Sequence, residues 1–221
     1  MVHALNRYWK PTKNEAASGP ETEDIRIRIH RCLSWMQRVE DIDNSEKAQS
    51  LDAALIFQWV ALNSLYGRWD PVGRGPIEDR KSLDEFLDRI FVSDADGLIT
   101  GVLKENRRLV NSIFEDEYLS RYFWQEPTDE RARKSRKVMY DARTWYVEGK
   151  HRLILDRTLE RVYLARCQLV HGAASHDSKL NRDALRRCSI MLGHLLPAVL
   201  LVIMDHAWDG DWDGLCYPPT A

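Results

Sequence analysis

Apolar side chains return every three or four residues along most of this chain, the period of one face of an α-helix. From Thr22, which suits an N-cap, the positions Ile25, Ile29, Leu33 and Met36 form one such face, with Asp24 in the first turn. Asp41 to Ser45 reads as a turn. A second helix is predicted from about Ser45 to Trp69, with Leu51, Leu55, Trp59, Leu62 and Tyr66 in register and Gly67 and Pro71 to end it. Two glycines and two prolines make 70–76 a loop. Shorter stripes follow over 81–124: Leu83, Phe86, Leu87 and Ile90, then Leu98, Val102 and Leu103, then Leu109, Val110, Ile113 and Phe114. Asp94-Ala-Asp-Gly97 opens like a calcium loop but lacks the remaining ligands, so it predicts a capped turn. The longest helical region covers 129–171, broken near Gly149. A polar loop spans Gly172 to Asn181, and a last helix runs from about Arg182 to Trp208.

The ends break the pattern. Residues 1–21, with Pro11, Gly19 and Pro20, read as a polar tail or leading arm, and 209–221 as an acidic, turn-rich tail. No stretch alternates as a strand does, and no repeat stands out. The pattern predicts an all-α protein: one domain over 22–208, two long antiparallel helix pairs and a helical insertion at about 70–128.

Composition narrows the picture. Apolar residues make up 44% of the 221 positions, enough for a packed core. A net charge of −2 excludes a generic polyanion binder, so any nucleic-acid site must be a local patch. One such patch is available: Arg131 to Arg166 holds eleven Lys/Arg against four Asp/Glu. It is either a solvated helix face or a basic approach that tracks a phosphate backbone. The four cysteines, Cys32, Cys167, Cys188 and Cys216, form no Cys-x-x-Cys pair and no zinc-ligand spacing, so neither a metal nor another cofactor is expected. The first residues lack the apolar core of a signal peptide, which favours a reducing cytoplasm. The apolar window Ile190 to Met204 is short, and His194 and Pro197 interrupt it, so it reads as a buried core helix rather than a membrane span.

Candidate chemistry gathers at the end of the long helical region, in Arg166-Cys-Gln-Leu-Val-His171-Gly172. An arginine can hold a phosphate, and an imidazole can move a proton near neutral pH. With 23 arginines and seven histidines in the chain, the spacing alone carries no weight. Arg187 and His194, seven apart on the last helix, make a similar pair that reads as structural. Gly172 supplies context, because it suits a helix C-terminus and would leave His171 at a chain reversal near solvent. Five residues of helix set the two side chains about 140° apart, flanking a cleft rather than stacking. A purely structural alternative has Arg166 bonded to a core carboxylate such as Asp156 or Glu160. Upstream, Asn63 is a polar amide beside an apolar run, either satisfied within the core or available to orient Arg166 or His171. His176 lies in the loop after the motif.

Two stretches together resemble the HEPN family, in particular its Apea-like branch. Phe57-Gln-Trp59-Val-Ala-Leu-Asn63-Ser-Leu-Tyr-Gly67 is similar to that branch's aromatic-rich early helix, and Arg166 to Gly172 is similar to its Arg-four-residues-His motif. The resemblance implies a HEPN-type antiparallel four-helix core within residues 46–207. It also implies a symmetric homodimer and a metal-independent endoribonuclease in which Arg166 and His171 are catalytic. Asn63, Cys167 and His176 would support or contact substrate. RNA or a nucleotide is the expected ligand, a toxin or defence role with a protein antitoxin is a further implication, and no membrane partner is expected. Active members often carry a polar residue such as Asn directly after the motif arginine. Here that residue is Cys167, which cannot supply an amide donor and leaves a non-catalytic RNA-, nucleotide- or protein-binding module as the alternative.

Overall fold

A computed structural model of the chain describes residues 1–15, 20–43, 51–173, 175, 179, 181–206 and 214–217. The fold is all-α, as the periodicity requires, with one two-residue ribbon as its sheet among the described residues. The chain divides into two compact units, each built from separated stretches, where the pattern had suggested one domain over 22–208.

The first unit comprises Met1–Ala48, Phe57–Leu98 and Leu196–Ala221. It opens with α1 (Val2–Glu15) and α2 (Pro20–Asp43). The N-terminal stretch is therefore a helix for most of its length rather than a tail. Val2, Leu5 and Trp9, spaced three and four apart, are buried as α1 packs on α2, and the Val2 amide donates to Glu40 Oε1 at 2.9 Å. On α2 the expected face holds, with Ile25, Ile29, Leu33 and Met36 all buried. Most of α3 (Leu51–Tyr66) follows, then the ribbon β1 (Trp69–Asp70) and β2 (Gly75–Pro76). These strands pair antiparallel within the segment expected to be loop. Next comes α4 (Asp79–Ser93), which buries Leu83, Phe86, Leu87 and Ile90 as its stripe predicts. The capped turn at 94–97 is present: the Leu98 amide donates to Asp94 Oδ1 at 2.7 Å, and Gly97 takes a φ of +67°.

Part of the supposed C-terminal tail also belongs to this unit. Arg28, 2% exposed, donates to the carbonyls of Leu65 at 3.1 Å, Gly67 at 2.8 Å and Gly214 at 3.3 Å. Arg31, one turn along α2, donates to the carbonyls of Cys216 at 3.0 Å and Tyr217 at 2.8 Å. Leu215 bridges to Arg68 and is buried. Two arginines one turn apart on α2 thus donate to main-chain carbonyls of both segments, beside the Cys216 amide that donates to the Gly67 carbonyl at 3.3 Å.

The second unit comprises Gln49–Ile56 and Ile99–Leu195. It contains α5 (Leu98–Glu105) from its second residue, α6 (Arg107–Glu115), a 3-10 turn (Glu117–Leu119), α7 (Arg121–Gln125), α8 (Asp129–Ser135), α9 (Lys137–Val147) and α10 (His151–Val170). The remaining helix, α11 (Arg182–His206), contributes to both units, as α3 does. Helices α6, α9 and α10 pack on one another around Val110, Ile113, Phe114, Ala142, Ile154, Leu155 and Val162, all fully buried. Within residues 70–128 the apolar stripes line the cores of both units. The break between α9 and α10 falls at Gly149, with φ +70°, and α10 ends before Gly172, with φ +67°. One helix, α11, is long and apolar enough by composition to cross a membrane, and 67% of its most apolar window is buried inside the protein, as in a core helix.

Candidate functional site at the end of helix α10

The candidate site lies wholly within the second unit. On α10 the successive turns present different chemistry on different faces. Arg157, Leu164, Gln168 and His171 follow one another at intervals of seven, four and three, so they form one stripe within about 60° of arc. Arg166 lies outside it, about 140° from His171 and 180° from Arg157.

Arg166 is half-buried and carries no carboxylate partner among the described residues. Its guanidinium lies 5.7 Å from the Tyr163 ring centroid, and Nη1 stands 3.9 Å from Cys167 Sγ. The two carboxylates expected for a structural role are engaged with other arginines. Glu160 pairs instead with Arg157 at 2.8 Å and Arg121 at 3.7 Å, and Asp156 lies 3.9 Å from Arg157 Nε. His171 is exposed and is the residue that closes α10. Its backbone amide donates to the Cys167 carbonyl at 2.9 Å, while its ring has no bonded partner among the described residues. Cys167 is half-buried and unbridged.

The neighbouring stripe is more elaborately built. Gln168 donates through Nε2 to the Tyr118 carbonyl at 2.7 Å, and its Oε1 accepts from Asn181 Nδ2 at 2.9 Å. Tyr118 sits in the 3-10 turn, which Asp116 caps by accepting from the Tyr118 amide at 3.0 Å. Asp116 also pairs with Arg187 on α11, and its carbonyl accepts from Arg161 Nη1 at 3.2 Å. Burial pushes the Asp116 carboxyl above the usual aspartate range, and Arg187 only partly opposes this. Beyond the turn lies an open cleft of about 210 Å³, into which Ser120, Arg121, Tyr122, Trp145, Arg157 and Glu160 are gathered. Arg121 donates to the Tyr122 hydroxyl at 3.2 Å and lowers that phenol's pKa, while the hydrogen bond that Arg157 donates to Glu160 raises the pKa of Arg157. Arg161, 5% exposed, is tied to the carbonyls of Asp116 and Ser135, the latter at 3.2 Å, and burial lowers its pKa.

The basic stretch 131–166 is thus divided. Arg133, Lys134, Lys137, Arg143 and Lys150 are exposed, whereas Arg161 is structural and Arg157 is paired. Sequence reading missed the cleft. Its signal was the spacing of Arg157, Arg161 and Leu164 on one face, which the charge count did not resolve by direction.

The other expected members are elsewhere. Asn63 belongs to the first unit, where its Nδ2 donates to Asp79 Oδ1 at 2.9 Å and the Tyr66 hydroxyl donates to the same oxygen at 2.6 Å. Its amide is satisfied locally rather than directed at Arg166 or His171. His176 lies outside the described residues. Among those residues, no group of three or more His, Cys, Asp or Glu side chains is placed to hold a metal ion. No protein-family model, curated protein or solved structure matches the chain.

Proposed function

We propose that this protein is a metal-independent endoribonuclease that acts as a homodimer, with Arg166 and His171 from two copies lining a shared cleft. The observation that carries this reading is an uncommitted cation beside an uncommitted imidazole. Arg166 has no carboxylate within ion-pair distance among the described residues, and five positions later His171 faces solvent. Within one copy the two side chains diverge, so a phosphate held by Arg166 is better served by His171 of a second copy. A two-fold axis supplies that arrangement, because the same patch meets itself.

The chemistry follows from the groups. A neutral His171 takes the proton of a ribose 2′-hydroxyl as its oxygen attacks the adjacent phosphorus. A protonated His171 from the other copy gives a proton to the departing 5′-oxygen as the P–O bond breaks. Arg166 holds the phosphate and offsets charge on the equatorial oxygens. The products are a 2′,3′-cyclic phosphate and a 5′-hydroxyl, and DNA is inert for want of the attacking group. The same reading takes a reducing cytoplasm as the setting, a toxin or defence role as the biology and a neutralising antitoxin as a partner.

The test uses end-labelled RNA with the purified full chain in excess chelator. His171→Ala and Arg166→Ala should each lose at least about 100-fold in cleavage rate while keeping the far-ultraviolet spectrum of the parent. Cleavage by His171→Ala at the parental rate would sink the mechanism. The second reading, a binding module without turnover, is favoured by Cys167 next to Arg166 and by the divergence of the pair within one copy. It predicts salt-sensitive RNA binding and no cyclic phosphate.

A further inference from the structure

We infer that the exposed rings of Tyr118 and Trp124, packed on half-buried Phe123 and with exposed Tyr122 beside them, are a base-stacking platform for single-stranded RNA, set on the His171 side of α10. The inference rests on the functional reading above only in naming RNA as the ligand. The cluster stands on independent observations.

Three large aromatic side chains in seven residues face solvent: Tyr118 is 40% exposed, Tyr122 49% and Trp124 45%. Aromatic groups of this size normally contribute their area to a core, so a cluster of them left wet is a surface that something covers. These rings are also held in place. Tyr118 and Phe123 meet edge to face at 5.3 Å between centroids, as do Phe123 and Trp124 at 5.3 Å, and Tyr118 and Trp124 lie tilted at 6.1 Å. Trp124 Nε1 donates to the Tyr118 carbonyl at 2.8 Å, the same oxygen that Gln168 binds at 2.7 Å. The platform is thereby pinned to α10 one turn before His171, about 4.5 Å along the helix axis and within about 60° of the same face.

Charge selects the occupant. Residues 131–137 hold five Lys/Arg and no Asp/Glu; Arg131 and Lys134 are paired with Glu126 and Glu130, while Arg133 and Lys137 are exposed with no carboxylate partner among the described residues. Both α7 and the 3-10 turn pack against α8, which supplies exposed Arg133 and Lys134, and Arg121 lies 5.1 Å over the Tyr122 ring. Wet π-faces bordered by cations suit unpaired bases joined by phosphates, since every base has a face to stack and every linkage a charge to meet. A duplex hides those faces and fits poorly.

The test measures fluorescence anisotropy of a labelled single-stranded RNA of about a dozen nucleotides against the full-length His171→Ala chain, which holds the RNA without turning it over. Trp124→Leu and Tyr122→Leu should each weaken binding about ten-fold or more. Trp124→Phe, which keeps a ring but loses the bond to Tyr118, should stay within about three-fold. A DNA oligonucleotide of the same sequence should show the same losses, because stacking ignores the sugar, and blunt duplex RNA should bind weakly and unchanged across the variants. Leucine variants that bind like the parent would overturn the platform. So would a Trp124→Phe loss equal to that of Trp124→Leu, or a duplex that suffers equally. Tyr122→Leu removes no main-chain bond, so it keeps the test valid if Trp124→Leu misfolds. Failure of the platform is separable from failure of the nuclease: platform-dependent binding without any cleavage by the unsubstituted chain refutes only the nuclease. Cleavage that depends on His171 but not on the rings refutes only the platform.

Discussion

Asp116 joins a cap, an ion pair and a buried arginine, and substitutions there separate their weights. The carboxylate side chain is 9% exposed, caps the 3-10 turn through the Tyr118 amide at 3.0 Å, and pairs with Arg187, itself 31% exposed. Because burial lifts the Asp116 carboxyl despite Arg187, the folded chain binds its proton more tightly than the unfolded chain does. The neutral acid is thus the better-tolerated form, and asparagine imitates it while keeping an acceptor for the Tyr118 amide. Asp116→Asn should therefore lie within about 0.5 kcal/mol of the parent at pH 7, as expected where desolvation offsets Coulomb attraction. Asp116→Ala loses the cap, worth about 1 kcal/mol, and leaves Arg187 to partial solvation, for a total of roughly 1–3 kcal/mol. In urea that is a midpoint shift of about 0.5–1 M, followed by both tryptophan fluorescence and far-ultraviolet circular dichroism to establish a single transition. The sign in pH is equally specific. A raised carboxyl contributes more stability as pH falls through its folded value, so the alanine penalty should widen on mild acidification. If Asp116→Asn is as damaging as Asp116→Ala, the ion pair outweighs burial and this reasoning is wrong.

Two glycines with empty surroundings should respond in opposite directions. Gly172→Ala, at φ +67°, should cost about 1 kcal/mol, whereas Gly101→Ala, inside α5 with no positive φ, should add about 0.5–1 kcal/mol, both read by thermal melting. His151, 8% exposed, has its pKa pushed down by burial and by Lys104. The folded state then holds fewer protons than the unfolded one, so the stability this residue contributes should be lost as pH falls below about 6.5. His151→Leu should flatten that loss, and identical acid limbs in urea titrations of the two proteins would count against it.

Legibility in the sequence tracked how local the physics was. Gly149 and Gly172 end helices because only glycine takes those φ values cheaply, and both ends were readable from residue type. The Asp94 cap was readable for the same reason. The helix α1 was hidden by Pro11, which lies within its span, although Val2, Leu5 and Trp9 already carried the period. Side-chain direction was the main loss. Arg157, Arg161 and Arg166 count alike in a charge tally, yet one pairs with Glu160, one holds main-chain carbonyls and one has no carboxylate partner among the described residues. Those outcomes depend on the turn at 116–119 folding back onto α10, a non-local event that no spacing along α10 encodes. Asn63 shows the same limit, since its partner Asp79 lies sixteen residues away across the ribbon.

The four thiols are unequally reachable. Cys32 and Cys188 are fully buried, and burial pushes both up, as it does more mildly at Cys216, where Arg28 and Arg31 oppose it. A reagent that needs an accessible thiolate will therefore pass over the two core cysteines. After Cys216→Ser, the remaining accessible sulfur is Cys167, 3.9 Å from the Arg166 guanidinium. The residue that departs from the expected motif thus gives the protein a native chemical reporter at its own candidate site, whose alkylation rate with and without RNA maps occupancy at Arg166 with no introduced label.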